Sequence, residues 1–138
     1  MAYDPQNPFA KILRGELPCF KLYEDEHTLA FMDIMPQSDG HALIIPKEAA
    51  VTMLELSEAA TVACIKLTRR IVLAADKAMN CGGIQVIQVN GAVAGQTVPH
   101  VHFHVIPRYE QTPLTMHAAK MGDPVKIQAL AEKIIAAL

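Results

Sequence analysis

A chain of 138 residues, 51% of them hydrophobic, is long enough for one substantial core and is expected to form one domain over 1–138. Its formal net charge of −2 excludes the concentrated basic surface of a non-specific nucleic-acid binder, and no apolar run reaches the length that spans a bilayer. Cys19, Cys64 and Cys81, odd in number and never in C-x-x-C spacing, exclude a disulfide framework and fit a reducing compartment.

The opening "MAYDPQNPFAKIL" has no basic region followed by an apolar one, so no secretory leader is expected and a cytoplasmic location is. "PFAKILRGELP" predicts a short helix, with Pro8 near its start and Gly15 just past its end. Three strands follow, at about Phe20–Glu24, Thr28–Ile34 and His41–Pro46. The charged turn "EDEH" separates the first two and "MPQSDG" the second from the third. Loops this short favour antiparallel hairpins. Thr52 and Glu55 stand at capping-box spacing and suggest a short helix in "TMLEL".

The long element is a helix from about Ser57 to Met79. Ala60, Ala63, Cys64, Leu67, Ile71, Ala74 and Ala78 recur at three- and four-residue intervals, the stripe of an amphipathic helix. Lys66, Arg69 and Arg70 read as its solvated face. Asn80, Gly82 and Gly83 end it. "GIQVIQVN" is a fourth strand, the histidine-rich segment a fifth, and after an irregular stretch a C-terminal helix runs from about Pro124 to Leu138. The fold class is α+β: a five-stranded, mostly antiparallel sheet with one long helix, a short N-terminal helix and a C-terminal helix.

The segment "GQTVPHVHFHVIPR" places His100, His102 and His104 in alternation with Val101, Phe103 and Val105. On a strand, such alternation buries the hydrocarbon and lines the imidazoles along one face. Three uses compete for that face: surface decoration, metal ligation, or nucleophilic and acid–base chemistry on an anion. Metal ligation suits imidazole, but His100 and His104 would lie ~13 Å apart along a strand, and no carboxylate falls between Asp76 and Glu110 to support ligating histidines. Residues 77–109 carry only positive or neutral side chains, which suits a phosphate. Neighbouring imidazoles also discourage each other's protonation and keep one nucleophilic.

The loop before the histidines supports the third use. Gly91 and Gly95 can take left-handed conformations that bring backbone N–H groups to an oxyanion, with Gln96 and Thr97 as further donors. The Asp33–His41 hairpin brings those two residues to one edge of the sheet, where they join the site if that edge lies beside the Gly91–Pro99 loop.

"HVHFHVI" matches the alternating signature of the histidine triad family of nucleotide-binding hydrolases and transferases, and "GQTVP" resembles its Gly-Gln-(Ser/Thr) lead-in. "PFAKILRGELP", "LAFMDIMPQSDGHALIIPK" and "QVNG" resemble further blocks in the same order, with the Hint branch most similar. The resemblance runs from about Pro8 to Arg108. It implies an α+β fold, a homodimer whose two sheets join, and cleavage of a nucleoside 5'-monophosphate such as AMP from a phosphoramidate-type conjugate, with no cofactor.

By position, the resemblance makes His102 the nucleophile, orients it with His100 and His104, and adds His41 as a supporting histidine. Gln96 and Thr97 would contact the phosphate, and Asp33 the ribose. Phe9, Phe31 and Ile34 would line the base pocket, with Asn90 near phosphate or ribose. Dinucleoside polyphosphate hydrolysis, or a nucleotide-binding regulatory module with incidental hydrolysis, is the alternative function. Some bacterial relatives hold a structural zinc with a C-x-x-C pair and a histidine, where this chain has Asn7, Ala10 and Ala49; no metal is expected. The tryptophan-containing tail of typical Hint proteins has no counterpart in "KIIAAL".

Overall fold

The computed structural model describes residues 2–115, 118 and 120–138. Helix α1, Pro8–Leu13, opens with Asn7 as its cap: the Asn7 side chain accepts from the N–H groups of Phe9 and Ala10, both at 3.0 Å. This satisfies two donors that a helix start leaves orphaned. Gly15 follows the helix at φ +79°, the left-handed conformation that favours glycine.

Strands β1 (Lys21–Glu24), β2 (Thr28–Met32), β3 (Ala42–Pro46), β4 (Gly83–Ile87) and β5 (Phe103–Arg108) form one antiparallel sheet in the order β1-β2-β3-β5-β4. Helix α2, Glu58–Met79, joins β3 to β4, and α3, Pro124–Ala137, closes the chain. Ser57 caps α2 by accepting from Ala60 N–H, and Asn80 ends it at φ +48°. Asp123 caps α3 with Pro124 in its first turn. The α+β architecture read from the sequence is therefore observed.

Register sorts the side chains onto two faces. Ala42 pairs with Val105 and Ile44 with Phe103. These four pack with Ala30 and Met32 against Cys64, Leu67 and Ile71 of α2 and Ile127, Ala131 and Ile134 of α3. On the opposite face, Leu29, Phe31, Leu43 and Ile45 form a smaller cluster with Phe9 of α1. Both faces of β2 and β3 are thus covered, and every residue in them is buried. Truncating Ile71, which is fully buried, costs about 2–5 kcal/mol.

Several boundaries differ from the sequence reading. Thr52–Leu56 is a turn rather than a helix. The Thr52 N–H and hydroxyl both donate to Glu55 Oε2, so the capping-box pairing forms without a helix to cap. Lys66, Arg69 and Arg70 are exposed as expected, and the Arg70 guanidinium also lies 4.5 Å from the centre of the Tyr23 ring, a cation–π contact. Strand β4 ends at Ile87 rather than Asn90, and β2 ends at Met32 rather than Ile34. The irregular stretch expected after Tyr109 includes Met116, His117 and Ala119, which lie outside the described residues.

Candidate active site

The histidine row is not one straight strand. Strand β5 begins only at Phe103, and two bonds turn the preceding segment away from the ladder. Val101 N–H donates to Ala50 O at 2.9 Å, and the His100 imidazole donates from Nε2 to Pro46 O at 2.9 Å. A β3 carbonyl is thereby taken by a side chain. The bend also gathers the rings: His102 and His104 have centroids 4.9 Å apart, and His41 and His104 5.1 Å apart. His102 and His104 are thus closer than the ~6.7 Å step between same-face residues of a regular strand.

Hydrogen-bond partners that can act in only one sense assign the tautomers. A carbonyl accepts, so the 2.7 Å contact from His102 Nδ1 to His100 O puts the proton on Nδ1. His102 Nε2 is left with its lone pair. His100, donating from Nε2 to Pro46 O, accepts the Tyr3 hydroxyl at Nδ1, 2.6 Å away. Gln37 N–H donates to His41 Nδ1 at 3.0 Å, so His41 carries its proton on Nε2. That N–H points to His104 Nδ1 at 2.9 Å and lies 3.4 Å from Asp33 Oδ2. His104 accepts there and keeps N–H on Nε2.

Burial disfavours charge on every ring. It lowers His41 to about 3, aided by His104, Arg108 and His102. His100 and His104 fall to about 4, each pushed further by His102. His102 is lowered by the same desolvation, against the opposing bond to the His100 carbonyl. Burial pushes the Asp33 carboxyl up to about 6, although Met35 N–H donates to it. Near neutral pH the cluster is four neutral imidazoles beside a carboxylate that takes a proton readily.

Asp33, His41 and His104 each offer a ligand atom, and the three atoms lie within 4.8 Å of one another. This donor set has the composition of a metal site, but its hydrogen bonding opposes one. Gln37 N–H occupies His41 Nδ1 and forces the proton onto Nε2, the atom an ion would need. The arrangement fits a proton-sharing cluster.

The other expected site residues divide into two groups. Phe9 stands edge-on to His102, with centroids 5.1 Å apart, and to Phe31 behind it, 5.4 Å away. Ile34 is exposed at the sheet edge beside Asp33. The loop residues are used differently from expectation. Gln96 is buried; its Nε2 donates to Val51 O at 2.7 Å and Val98 O at 3.0 Å, while Oε1 accepts Gly91 N–H at 2.7 Å. Its amide braces the loop and is not free for a phosphate in this conformation. Gly95 adopts φ +105°, but its N–H donates to Ala92 O.

Asn90 accepts Met53 N–H at 2.8 Å and exchanges bonds with Gln88, tying the loop to the 52–55 turn. Thr97 is exposed and takes no part in these bracing bonds. Two participants escaped the sequence reading: Tyr3, with no pattern around it, and Gln37, which acts through its backbone.

Residues 14–111 match the HIT domain family. The chain is 41% identical over 132 residues to adenosine 5'-monophosphoramidase hnt1 of Schizosaccharomyces pombe, covering 91% of this chain and 93% of that one. It is 39% identical over 103 residues to adenosine 5'-monophosphoramidase HNT1 of Saccharomyces cerevisiae, covering 75% of this chain and 63% of that one. The crystal structure of a Hit-like protein involved in cell-cycle regulation from Bartonella henselae superposes with a TM-score of 0.92 at 42% identity, covering 99% of this chain and all of that one. The alternating histidines, the folded cluster they form and these similarities agree: the chain belongs to the HIT domain family, the histidine triad proteins.

Proposed function

We propose that this chain is a nucleoside phosphoramidase that releases AMP from phosphoramidate-type conjugates through a nucleotidyl intermediate on His102. The carrying observation is the bond from His102 Nδ1–H to His100 O. It fixes the tautomer that leaves Nε2 nucleophilic, and it stabilises the positive charge the ring gains on attack. The two similar adenosine 5'-monophosphoramidases supply the choice of substrate class.

In the first step His102 Nε2 bonds to the α-phosphorus and the phosphorus–nitrogen bond breaks. The departing amine takes its proton from the cluster in the form that holds one on Asp33, whose carboxyl is raised to about 6. His104 Nε2 donates, His104 Nδ1 takes the His41 Nε2 proton, and Asp33 replaces it. In the second step water displaces His102 from phosphorus, and its proton returns to the cluster. Thr97 at the loop's exposed end contacts the phosphoryl oxygens, Asp33 holds the ribose hydroxyls, and Phe9, Phe31 and Ile34 receive the base. The chain acts as a cytoplasmic homodimer. The open edge of β4, where Val86 is 50% exposed, supports pairing of two sheets.

Turnover of a fluorogenic adenosine phosphoramidate by the wild type and by His102→Ala tests the reading. Loss of turnover in the variant, with circular dichroism unchanged, is the expected result. Equal turnover in both would remove His102 from the chemistry.

A further inference from the structure

Arg108 ends β5 on the same face as His104, since alternate residues of a strand share a face. Its guanidinium ties three segments together. Nε donates to Gln85 Oε1 of β4 at 2.7 Å, and Nη2 donates at 2.8 Å both to Gln37 Oε1 and to Thr115 O. Nη1 is buried without a hydrogen-bond partner among the described residues. An unpaired buried donor carries a desolvation cost, so this guanidinium is held where packing alone would not place it. What it holds is the turn between β2 and β3, at the residue whose backbone N–H reaches His41 Nδ1.

That N–H decides the proton arrangement of the cluster. If it moves, His41 is free to carry its proton on Nδ1, and the Nε2–H donation to His104 Nδ1 is lost. His104 then has no fixed tautomer and no assured N–H at Nε2. The same turn carries Met35 N–H, which donates to Asp33 Oδ1 at 2.8 Å, so both cluster members that flank it depend on its position.

We propose that Arg108 is a positioning residue: by gripping the Gln37 side chain it holds the Gln37 N–H against His41 Nδ1, and so sets the tautomers of His41 and His104. The proposal rests on the reading of Asp33, His41 and His104 as the proton-transfer cluster. Arg108 acts by geometry, through the fork of its guanidinium, which lysine's single ammonium does not reproduce.

The test measures imidazole nitrogen shifts by NMR in the 15N-histidine-labelled wild type, Arg108→Met, Arg108→Lys and Gln37→Ala, alongside kcat and KM for the adenosine phosphoramidate. Wild-type His41 is expected as a single Nε2–H tautomer. The three variants should show mixed tautomers and lose kcat by about tenfold with little change in KM. Arg108→Met combined with Gln37→Ala should be no worse than either alone, because both cut one linkage.

A pure Nε2–H tautomer in folded variants would overturn the proposal, as would losses that multiply in the double variant. A role limited to stability would lower the urea midpoint without changing the tautomer. If Arg108→Met does not fold, Gln37→Ala carries the test, since it leaves the backbone N–H in place. An inactive wild type would count against the proposed reaction, while the nitrogen shifts would still decide the positioning role.

Discussion

Acid should unfold this protein from within its site. His100 is fully buried, with Nε2–H given to Pro46 O and Nδ1 occupied by the Tyr3 hydroxyl. A second proton on the buried ring would go to Nδ1, against the Tyr3 hydroxyl that donates there. His100 is accordingly lowered to about 4, His104 to about 4 and His41 to about 3, in each case chiefly by burial. In the unfolded chain each titrates near ~6.5.

The folded values lie below the unfolded ones, so between about pH 4 and 6.5 the unfolded state binds more protons. The stability these histidines contribute is complete above that window and is lost as pH falls through it. Asp33 has the opposite sign. Its folded value of about 6 exceeds the unfolded ~3.9, so protonating it favours the folded state over much of the same window. Near pH 5, three histidines against one carboxylate leave a difference of two protons, or ~2.7 kcal/mol per pH unit. Against a typical total of ~5–15 kcal/mol, one to two pH units remove a large share of the stability. Urea unfolding at constant ionic strength should give a plateau above about pH 6.5 and a steep decline below it. A flat stability from pH 7 to 5 would refute the reasoning.

Two substitutions extend the test. Gly40→Ala places a methyl group 2.8 Å from Met79 Sδ and 3.1 Å from Pro107 Cγ at a backbone φ of +91°. It should cost ~2–4 kcal/mol by combined strain and overpacking and lower kcat by displacing the adjacent His41, measured by urea unfolding and turnover. Tyr3→Phe leaves the buried His100 Nδ1 unsatisfied. It should cost ~1–2 kcal/mol at neutral pH, measured by urea unfolding.

Strand and helix identities were legible wherever one periodicity dominated. The apolar stripe of α2 needs only the 3.6-residue repeat: Cys64, Leu67, Ile71 and Ala74 are buried as the spacing selects, whereas Ala60, Ala63 and Ala78 are half-buried and Thr68, Ala75 and Met79 are buried without having been selected. The histidine alternation likewise marked its segment as the candidate site. Alternation says nothing, however, about where a ladder stops. That depends on what the neighbouring chain offers, here Pro46 O taken by an imidazole and Ala50 O by Val101. For the same reason the Thr52–Glu55 pair indicated a helix that does not form.

The amino-acid sequence by itself determined the α+β class, the family and the set of ionisable groups, because these follow from residue identity and local spacing. Only the tertiary structure decided which nitrogen of each histidine holds a proton. It also committed Gln96 and Asn90 to bracing the loop, and it brought Tyr3 and Arg108 into the network. Those assignments rest on donors and acceptors far apart in sequence, such as Tyr3 with His100 and Gln37 with Arg108. Hydrogen bonds depend on angstrom-scale position, which no periodicity encodes.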